Sequence, residues 1–309
     1  MDEREWLATR FEEHRNRLRA VAYRMLGSLS EADDAVQESW LRLNRADAGE
    51  VENLGAWLTT VVGRVSLDML RTQRRRREDL PGVHVPEPIV DRAEGVDPEH
   101  EALLAGSVGL ALLVVLETLS PAERLAFVLH DMFAVPFDEI ARIIDRSPEA
   151  TRQLASRARR RVQGQRTAPN GDLDTQRRVA DAYLAAARDG DFARLLEVLD
   201  PDVVLRADFG PPRGSVEVRG AAAVAGQALS VRGREGLVVR PVLVNGAVGV
   251  VATVHGEPFS IGALLVEDGR VVEIDLLADP ERLRRLELAG RDDVTVMELR
   301  QRPGSSQPD

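Results

Sequence analysis

Residues 137–162 constrain the fold of this chain most, because their pattern predicts two short helices joined by a tight turn. The first helix has one apolar stripe at helical spacing, made by Phe137, Ile140, Ala141 and Ile144. A second helix is predicted to start at Ser147, Pro148 and Glu149, since serine caps a helix, proline suits its first position and a carboxylate favours the positive end of its dipole. Such a pair is typical of a helix-turn-helix, whose second helix can enter the major groove of DNA.

The second predicted helix has two chemically different faces. The face expected to be buried carries Thr151, Leu154, Ala155, Ala158 and Val162. The polar face carries Glu149, Arg152, Gln153, Ser156 and Arg160, with Arg157, Arg159 and Arg161 beside it. Arginine can bind guanine through two hydrogen bonds, and glutamine can bind adenine in the same way. The predicted DNA contacts on this helix are Arg152, Gln153 and Arg157, together with Thr151 in its first turn.

The turn between the two predicted helices has an uncommon residue. Asp145 lies in the turn, where many helix-turn-helix units have glycine. Aspartate tolerates the left-handed backbone conformation better than most residues, so the turn is expected to form. From the residues of this motif alone, the alternative is a solvated pair of amphipathic helices in an all-α protein.

Composition excludes several classes of protein. The 309 residues suffice for two or three domains, and a hydrophobic content of 44% allows a real core. The chain has no cysteine and five scattered histidines, so we expect no disulfide, no metal and no cofactor. The longest apolar run, at residues 108–116, is too short to cross a membrane, and the acidic N-terminus is unlike a signal peptide. We therefore expect a cytoplasmic protein that does not bind a membrane.

Positive charge is local in this chain, although the net charge is −10. All basic residues are arginines, and they concentrate at residues 71–77 (RTQRRRR) and 152–166. Planar, permanently charged guanidinium groups suit phosphate contacts. An acidic chain with two basic patches is expected to bind DNA weakly alone, so a partner would have to supply much of the affinity.

Patterning predicts successive parts of different type. Residues 1–77 are predicted to be helical, residues 78–98 are a linker interrupted by proline and glycine, and residues 99–166 are helical again. After a short linker at 167–171, residues 172–290 predict two helices separated at Gly190, followed by strands. Residues 291–309 form a tail, whose last residues, RPGSSQPD at 302–309, are predicted to be disordered. The strands are predicted at 203–207, 215–219, 237–244, 247–254, 258–266 and 271–277.

The turns in this last part support a sheet. Asn245-Gly246 and Asp268-Gly269 separate apolar runs and are typical of β-hairpins. Residues 221–229 suit a short helix between strands, and residues 280–288 a terminal helix. The predicted fold is an α+β domain with helices packed on a curved antiparallel sheet, preceded by two all-α modules.

Several motifs give the helical part a specific resemblance. They are DAVQESWL at residues 34–41, AWL at 56–58 with Asp68 and Arg71 downstream, and LSPAER at 119–124 leading into the helix-turn-helix. In this order and spacing, residues 1–166 resemble a group-four, extracytoplasmic-function sigma factor of bacterial RNA polymerase. The remainder resembles a SnoaL-like (nuclear-transport-factor-like) cone domain, and that fusion is typical of one sigma-factor group.

The resemblance implies roles for particular residues. The clamp helices of core RNA polymerase would bind Asp34, Gln37, Glu38 and Leu41. The promoter −10 element would contact Arg64, Arg71, Arg74 and Arg75, and the loop 45–53 would hold a base flipped out of the melted strand. The −35 element would be read by the residues predicted above on the helix-turn-helix.

Three motifs of the group appear in altered form. The linker motif Trp-Leu-Pro-Glu-Pro corresponds to HVPEP at 84–88, Asp-Gly-Gly-Gly-Lys to DFGPPR at 208–213, and Asn-Pro-Asp-Lys-Leu to DPERL at 279–283. The resemblance implies that the cone domain regulates the sigma modules. The regulatory contacts it implies are Pro86, Glu87, Pro88, Asp208, Arg213, Asp279 and Pro280.

Two other functions compete with this interpretation. One is a helix-turn-helix regulator that binds duplex DNA by itself. The other is an enzyme, with Asp208, His255 and Asp275 of the cone domain as acid/base groups, although each has a simpler explanation at a strand end or face. The polymerase-docking motif, which neither rival needs, favours a sigma factor that is not an enzyme. For the cone domain, a protein-contacting role is preferred over an unknown small ligand.

Overall fold

The computed structural model describes residues 3–45, 53–77, 82–92, 100–101, 103, 109–165 and 172–286. Most of the predicted loop 45–53, parts of the linker 78–98, the short linker 167–171 and the tail 291–309 lie outside these residues. Within the part of the chain that is described, no helix is long and apolar enough to cross a membrane.

The N-terminal part consists of three long helices, α1 (Glu3–Leu26), α2 (Leu29–Leu43) and α3 (Leu54–Arg77). Ser28 starts α2, because its side chain accepts a hydrogen bond from the backbone N–H of Glu31. The buried residues of α2 are Ala32, Ala35, Val36, Ser39 and Leu43. Helix α1 contacts both α2 and α3, so the predicted apolar stripes meet in one core.

The second helical part contains the predicted helix-turn-helix. Its elements are α4 (Leu110–Glu117), α5 (Pro121–Phe127), a π-helical turn (Val128–Met132), α6 (Phe137–Ile144) and α7 (Pro148–Gln163). Ser120 and Glu123 cap α5 reciprocally. The turn between α6 and α7 forms as expected, with Asp145 left-handed at φ 56° and Ser147 capping α7.

The C-terminal part is a curved sheet with helices on its inner face, which confirms the predicted fold class. Two helices lead into it, α8 (Leu173–Asp189) and α9 (Phe192–Val198), separated at the left-handed Gly190. The strands and remaining helices are β2 (Leu199–Asp208), β3 (Ser215–Arg219), α10 (Ala221–Ser230), β4 (Leu237–Val244), β5 (Ala247–Val254), β6 (Glu257–Glu267), β7 (Arg270–Leu277) and α11 (Pro280–Arg285). The predicted hairpin turns at Asn245-Gly246 and Asp268-Gly269 both form.

Two features of the sheet differ from the predicted antiparallel arrangement of six strands. A seventh strand, β1 (Val90–Asp91), comes from the linker and pairs with β4 at one edge, giving the order β1-β4-β5-β6-β7-β2-β3. Strands β2 and β7 pair in parallel, whereas the other neighbours are antiparallel. Pairings between segments so distant in sequence leave no local signal, since only hairpin turns fix register locally.

The two faces of the sheet pack against different partners. The inner face buries Leu205, Leu264 and Ile274 against α8, α9 and α10. The outer face contributes Val251, Ile261, Ala263 and Leu277 to the same hydrophobic core as α1 and the linker residues Val85 and Ile89. The linker is therefore packed between the sheet and the first helical part.

A buried ion pair joins the two helical parts. The Arg124 side chain is 2% exposed, and its Nη1 donates to the backbone oxygen of Met25 at 2.8 Å and to Oε1 of Glu117 at 2.8 Å. Met25 lies in the last turn of α1, whereas Glu117 and Arg124 belong to α4 and α5. Removing one member of such a pair leaves a desolvated charge without its counter-ion, which is why it destabilises strongly.

This ion pair generates a stability prediction. We expect Arg124→Met to lower the free energy of unfolding by about 3–5 kcal/mol, because Glu117 stays buried without the guanidinium group. The double variant Arg124→Met with Glu117→Leu should recover most of that loss. Urea unfolding followed by circular dichroism checks this, and an equal loss in the single and double variants would contradict it.

Candidate nucleic-acid and partner interfaces

Helix α7 presents a continuous polar surface to solvent. Arg152, Gln153, Ser156, Arg157 and Arg160 line one open depression of about 400 Å³. Three ion pairs orient guanidinium groups at the edge of this depression. Arg159 pairs with Asp131 at 2.5 Å, Arg157 with Glu123 at 3.3 Å, and Arg161 with Glu123 at 3.9 Å. The result is an open, donor-rich surface along one side of α7.

The N-terminal end of α7 holds Arg152 and Gln153 on the surface. Arg152 lies 3.4 Å from Glu149 and its guanidinium carbon is 5.7 Å from the centre of the Phe137 ring. His130 stacks on the same ring at 3.7 Å between centroids. The ring therefore supports the arginine from α6 and limits its conformations, which lowers the entropy lost when it binds a partner.

Thr151 corrects the predicted set. Its side chain is fully buried and its hydroxyl donates to the backbone oxygen of Ser147 at 3.0 Å. A hydroxyl engaged under the helix cannot reach a base edge, so Thr151 packs the helix-turn-helix together instead. The helical periodicity of the sequence also places Thr151 on the apolar face of α7, and the structure agrees with that placement.

Two arginines of α3, Arg64 and Arg74, contact the second helical part. Nη2 of Arg64 donates to the backbone oxygen of Arg142 at 3.2 Å, and Nη1 of Arg74 donates to that of Leu119 at 3.5 Å. Arg71 lies 3.6 Å from Asp68 and is exposed. The helix continues through Arg75, whose side chain is outside what the structure describes.

Helix α2 exposes the face that the resemblance assigns to polymerase. Asp34, Gln37 and Leu41 point to solvent, and Leu41 is 41% exposed, which is unusual for leucine. Glu38 is only half-buried and pairs with Arg42 at 2.9 Å. Beside Gln37, the packed rings of Phe11 and Trp40, 5.0 Å apart, form the floor of a groove between α1 and α2. The face thus combines polar groups with accessible apolar surface.

A cluster around Asp208 fixes the linker to the cone domain. Oδ2 of Asp208 accepts hydrogen bonds from the backbone N–H of Val85 at 3.1 Å and from Nη1 of Arg282 at 3.0 Å, and lies 3.0 Å from Nδ1 of His84. Nη2 of Arg282 donates to the backbone oxygen of Val85 at 2.7 Å, and its Nε lies 3.5 Å from Glu87. We call these five residues the linker clasp.

Electrostatics make Asp208 an anion in the clasp. Burial alone would raise the pKa of this carboxyl, but the hydrogen bond and charge of His84, the N–H of Gly210 and Arg282 together hold the pKa below its ordinary value. Because the folded pKa is lower than the unfolded one, the carboxylate contributes stability at neutral pH that is lost as pH falls through the folded pKa.

A second junction joins α1, the linker and the sheet. The hydroxyl of Tyr23 donates to the backbone oxygen of Glu87 at 2.8 Å and accepts from Nδ2 of Asn245 at 3.0 Å. Asn245 also accepts the N–H of Ile89 at its Oδ1, 3.0 Å away, and donates its own backbone N–H to the Ile89 oxygen at 2.8 Å. Burial raises the pKa of Tyr23, so the phenol keeps the proton that it donates.

The predicted regulatory residues fall into two groups. Asp208 binds the linker segment that contains Pro86, Glu87 and Pro88, and Asp279 caps α11, which carries Arg282. Arg213 and Pro280 are exposed; Arg213 lies over Phe209, 4.6 Å from the ring centre.

Residues of both linker junctions were missed by the sequence analysis. Arg282 and His84 lie within the DPERL and HVPEP motifs, but neither motif indicated a role for these side chains. Tyr23 lies in a predicted helix, and its local pattern indicates no partner in the linker. Asn245 was recognised only as a turn residue, although its side chain also joins the linker to α1.

The acid/base candidates of the enzyme hypothesis are not brought together. Asp208 belongs to the linker clasp, and His255 lies in the turn between β5 and β6. Asp275 lies 3.2 Å from Arg206, which also contacts Glu273 at 2.5 Å. Burial and the neighbouring Glu273 raise the pKa of Asp275 well above its ordinary value. Within the described residues, no group of three or more histidine, aspartate or glutamate side chains could hold a metal ion.

Comparisons with known proteins identify two families along the helical part of the chain. The family model of sigma-70 region 2 matches residues 10–76, and that of sigma-70 region 4 matches residues 109–162. The ECF RNA polymerase sigma factor SigJ of Mycobacterium tuberculosis is 39% identical over 292 residues, which cover 88% of this chain and 91% of SigJ. The probable ECF RNA polymerase sigma factor SigI of the same species is 36% identical over 295 residues, covering 94% of this chain and 100% of SigI.

A solved structure extends the similarity to the whole architecture. The crystal structure of the M. tuberculosis extracytoplasmic function sigma factor SigJ matches with a TM-score of 0.71 and 34% identity, covering 90% of this chain and 98% of that one. The match therefore includes the C-terminal sheet as well as both helical parts. On the extent and identity of these matches, the chain belongs to the extracytoplasmic-function sigma factors of RNA polymerase.

Proposed function

We propose that this chain is a promoter-specificity subunit that acts in the cytoplasm and whose activity is modulated by its own cone domain. It recruits core RNA polymerase through α2, reads the −35 element with α7 and helps to melt the −10 element with α3. The observation that supports this function best is the concave surface of α7, where Arg152, Gln153 and Arg157 line one depression on a helix-turn-helix. These side chains would read base edges in the major groove, which accepts a helix of this kind.

The polymerase surface is assigned to Asp34, Gln37, Glu38 and Leu41 on α2. Exposed leucine and polar groups on one face, next to a groove with an aromatic floor, suit a partner that buries apolar area and pairs polar groups at the rim. Because the Glu38–Arg42 ion pair is partly exposed, Glu38 can leave it and pair with a charged group of the partner instead. In this account the clamp helices of core polymerase lie across the face.

The −10 surface is assigned to Arg64, Arg71, Arg74 and Arg75, with the loop 45–53 as the site of a flipped base. Guanidinium groups spaced along one helix follow a phosphate backbone well. Arg64 and Arg74 each donate one hydrogen bond to a backbone oxygen of the second helical part, at 3.2 and 3.5 Å, and DNA phosphates can replace these bonds.

The cone domain is assigned a regulatory role through the linker. The clasp and the Tyr23 junction fix residues 84–91 between the first helical part and the sheet, so the cone domain sets how freely the two DNA-binding parts can separate. We favour a mixed role, in which the domain restrains the free protein and supports the linker in the active complex. A small ligand of the cone domain stays a prediction; the inner face of its sheet is packed with aliphatic side chains.

The polymerase surface can be tested by comparing substitutions at two exposed leucines, Leu41 on α2 and Leu196 on α9. Gln37→Ala with Leu41→Ala should lower the affinity for purified core polymerase by about tenfold, which corresponds to about 1.4 kcal/mol of lost contact across the two truncated side chains. Leu196→Ala on α9 is the control, because Leu196 is exposed to a similar degree, 37%. Equal affinities of the two variants in a quantitative pull-down would contradict this docking face.

The −35 surface predicts a loss that depends on sequence. Arg152→Ala should weaken binding to the preferred promoter by about 1–3 kcal/mol and relax selectivity at one base pair. Arg74→Ala should weaken binding to all sequences and reduce its salt dependence, because it would contact phosphate. Arg159→Ala serves as the control on α7, since Arg159 is paired with Asp131. The assignment fails if Arg152→Ala lowers transcription equally from promoters with and without a −35 element.

The regulatory role can be tested at the clasp. Arg282→Ala removes the donor shared by Asp208 and Val85, so the N–H of Val85 should exchange with deuterium faster and transcription from a fixed promoter should change by at least twofold. Arg219→Ala is the control, because Arg219 is an exposed arginine of the same domain that lies outside the clasp and pairs with Glu217. Faster exchange without any change in transcription would leave the linker structural and refute its regulatory role.

A further inference from the structure

The guanidinium group of Arg152 lies over an aromatic ring from the other helix of the helix-turn-helix. Its central carbon is 5.7 Å from the centre of the Phe137 ring, within the range of cation–π attraction. Arg152 belongs to α7, whereas Phe137 is the first residue of α6. Arg152 also lies 3.4 Å from Glu149, but both of these side chains are more than half exposed, so that ion pair is weak. The ring is therefore the firmer support of Arg152.

The Phe137 ring is itself held by a histidine of the π-helical turn. The rings of His130 and Phe137 stack with their centroids 3.7 Å apart and their planes at 27°. Nδ1 of His130 lies 3.0 Å from the backbone oxygen of Val135; because that oxygen only accepts hydrogen bonds, Nδ1 carries the proton and donates it. His130 is thus fixed on one side and orients the Phe137 ring on the other. We call Arg152, Phe137 and His130 the arginine stack.

Contact with a ring leaves an arginine able to bind a base. The five N–H groups of a guanidinium group lie in its plane, so its flat face can stack on a ring while its outer edge still donates. The Arg152 side chain is 54% exposed and lines the open depression on α7 together with Gln153 and Arg157. Arg152 can therefore keep its contact with Phe137 while it donates two hydrogen bonds to guanine.

Support of one arginine affects selectivity more than affinity. A long side chain without support can turn from a base edge to a nearby phosphate, where it binds equally well whatever the sequence. A supported arginine has less access to that alternative, so the loss of guanine leaves its two hydrogen bonds unmade. Selectivity is the difference between the affinities for two sequences, and the ring increases this difference.

We propose that Phe137 and His130 are positioning residues for recognition of the −35 element, and that they hold Arg152 at one base pair that contains guanine. This inference rests on the proposed function and deepens it. It assigns the kind of base pair that α7 reads at one position, and it names two residues outside α7 that set how strictly this pair is read. Neither residue contacts DNA in this account.

The expected effect is confined to one position of the element. A cation–π contact at an exposed site changes an equilibrium constant by about two- to fivefold. Phe137→Leu keeps an apolar side chain but removes the ring face, so the preference for guanine should fall by about that factor. Phe137→Tyr keeps the ring and should retain the wild-type preference. His130→Asn keeps a donor for the Val135 oxygen without a ring, and should lower the preference by about twofold.

The test measures base-pair preference with the complete holoenzyme. Barcoded templates with random upstream sequence are transcribed by core RNA polymerase with each variant, and sequencing of the RNA counts initiation for every base pair at every position. Arg152→Ala identifies the position that Arg152 reads. Phe259→Leu is the matched control, because Phe259 of the cone domain also lies under an arginine, with the Arg234 guanidinium carbon 4.5 Å from its ring centre. Since preference is a ratio within one preparation, partial unfolding of a variant does not alter it.

We expect Phe137→Leu and His130→Asn to lower the guanine preference only at the position where Arg152→Ala removes it. Phe137→Tyr and Phe259→Leu should match the wild type, and Phe137→Leu should have no further effect in the Arg152→Ala background. His130→Asn decides the matter if Phe137→Leu supports no initiation.

Three results would overturn the arginine stack: an unchanged preference in the decisive variant, an equal loss at all positions, or the same loss with and without Arg152. A position read by Arg152 that prefers a base pair without guanine on the contacted strand would also do so. Failure of the proposed function is separate, because the wild-type chain itself would then cause no initiation by core polymerase that depends on upstream sequence.

Discussion

The arrangement of the whole molecule depends on how residues 84–91 are held between α1 and the curved sheet. Ile89 exchanges hydrogen bonds with both the backbone and the side chain of Asn245, and the next two residues form the edge strand β1. Tyr23 then ties the same segment to the first helical part. Since Val85 and Ile89 are fully buried in a core shared with α1, detaching this segment would expose apolar surface on both sides. The linker is therefore a structural element that couples the cone domain to the sigma modules.

Charge distribution explains how an acidic protein can present DNA-binding surfaces. On α7, acidic partners from other helices pair with Arg157, Arg159 and Arg161 along the flank. Glu123 serves two of these arginines and also caps α5; although burial would raise its pKa, the hydrogen bonds of Ser120 and the two arginines lower it. Local pairing thus fixes where positive groups face solvent, while net charge says only that long-range attraction to DNA is weak. Core polymerase would supply the missing affinity.

Features encoded locally could be predicted from the sequence. The cap at Ser147, the left-handed Asp145 and the Asn245-Gly246 turn were confirmed because each depends on a few adjacent residues. The candidate site was predictable to the extent that periodicity separates faces, as on α2 and α7. Thr151, predicted as a DNA contact from its position in the first turn, is fully buried on the apolar face of α7, so its hydroxyl is not available to a base.

Long-range contacts could not be predicted in this way. The parallel pairing of β2 with β7, the edge strand from the linker, and the partners of Arg282 and Tyr23 all join residues far apart in the chain. A tyrosine in a helix has the same local pattern whether or not another domain contacts it.

Reconstituted transcription with purified core RNA polymerase and a library of random upstream sequences tests the central claim most directly. The account predicts that adding this chain causes initiation at a subset of templates that share two upstream elements, and that no initiation occurs there with core polymerase alone. Selective binding of the chain to duplex DNA without any such initiation would contradict it and would identify a regulator that binds DNA by itself.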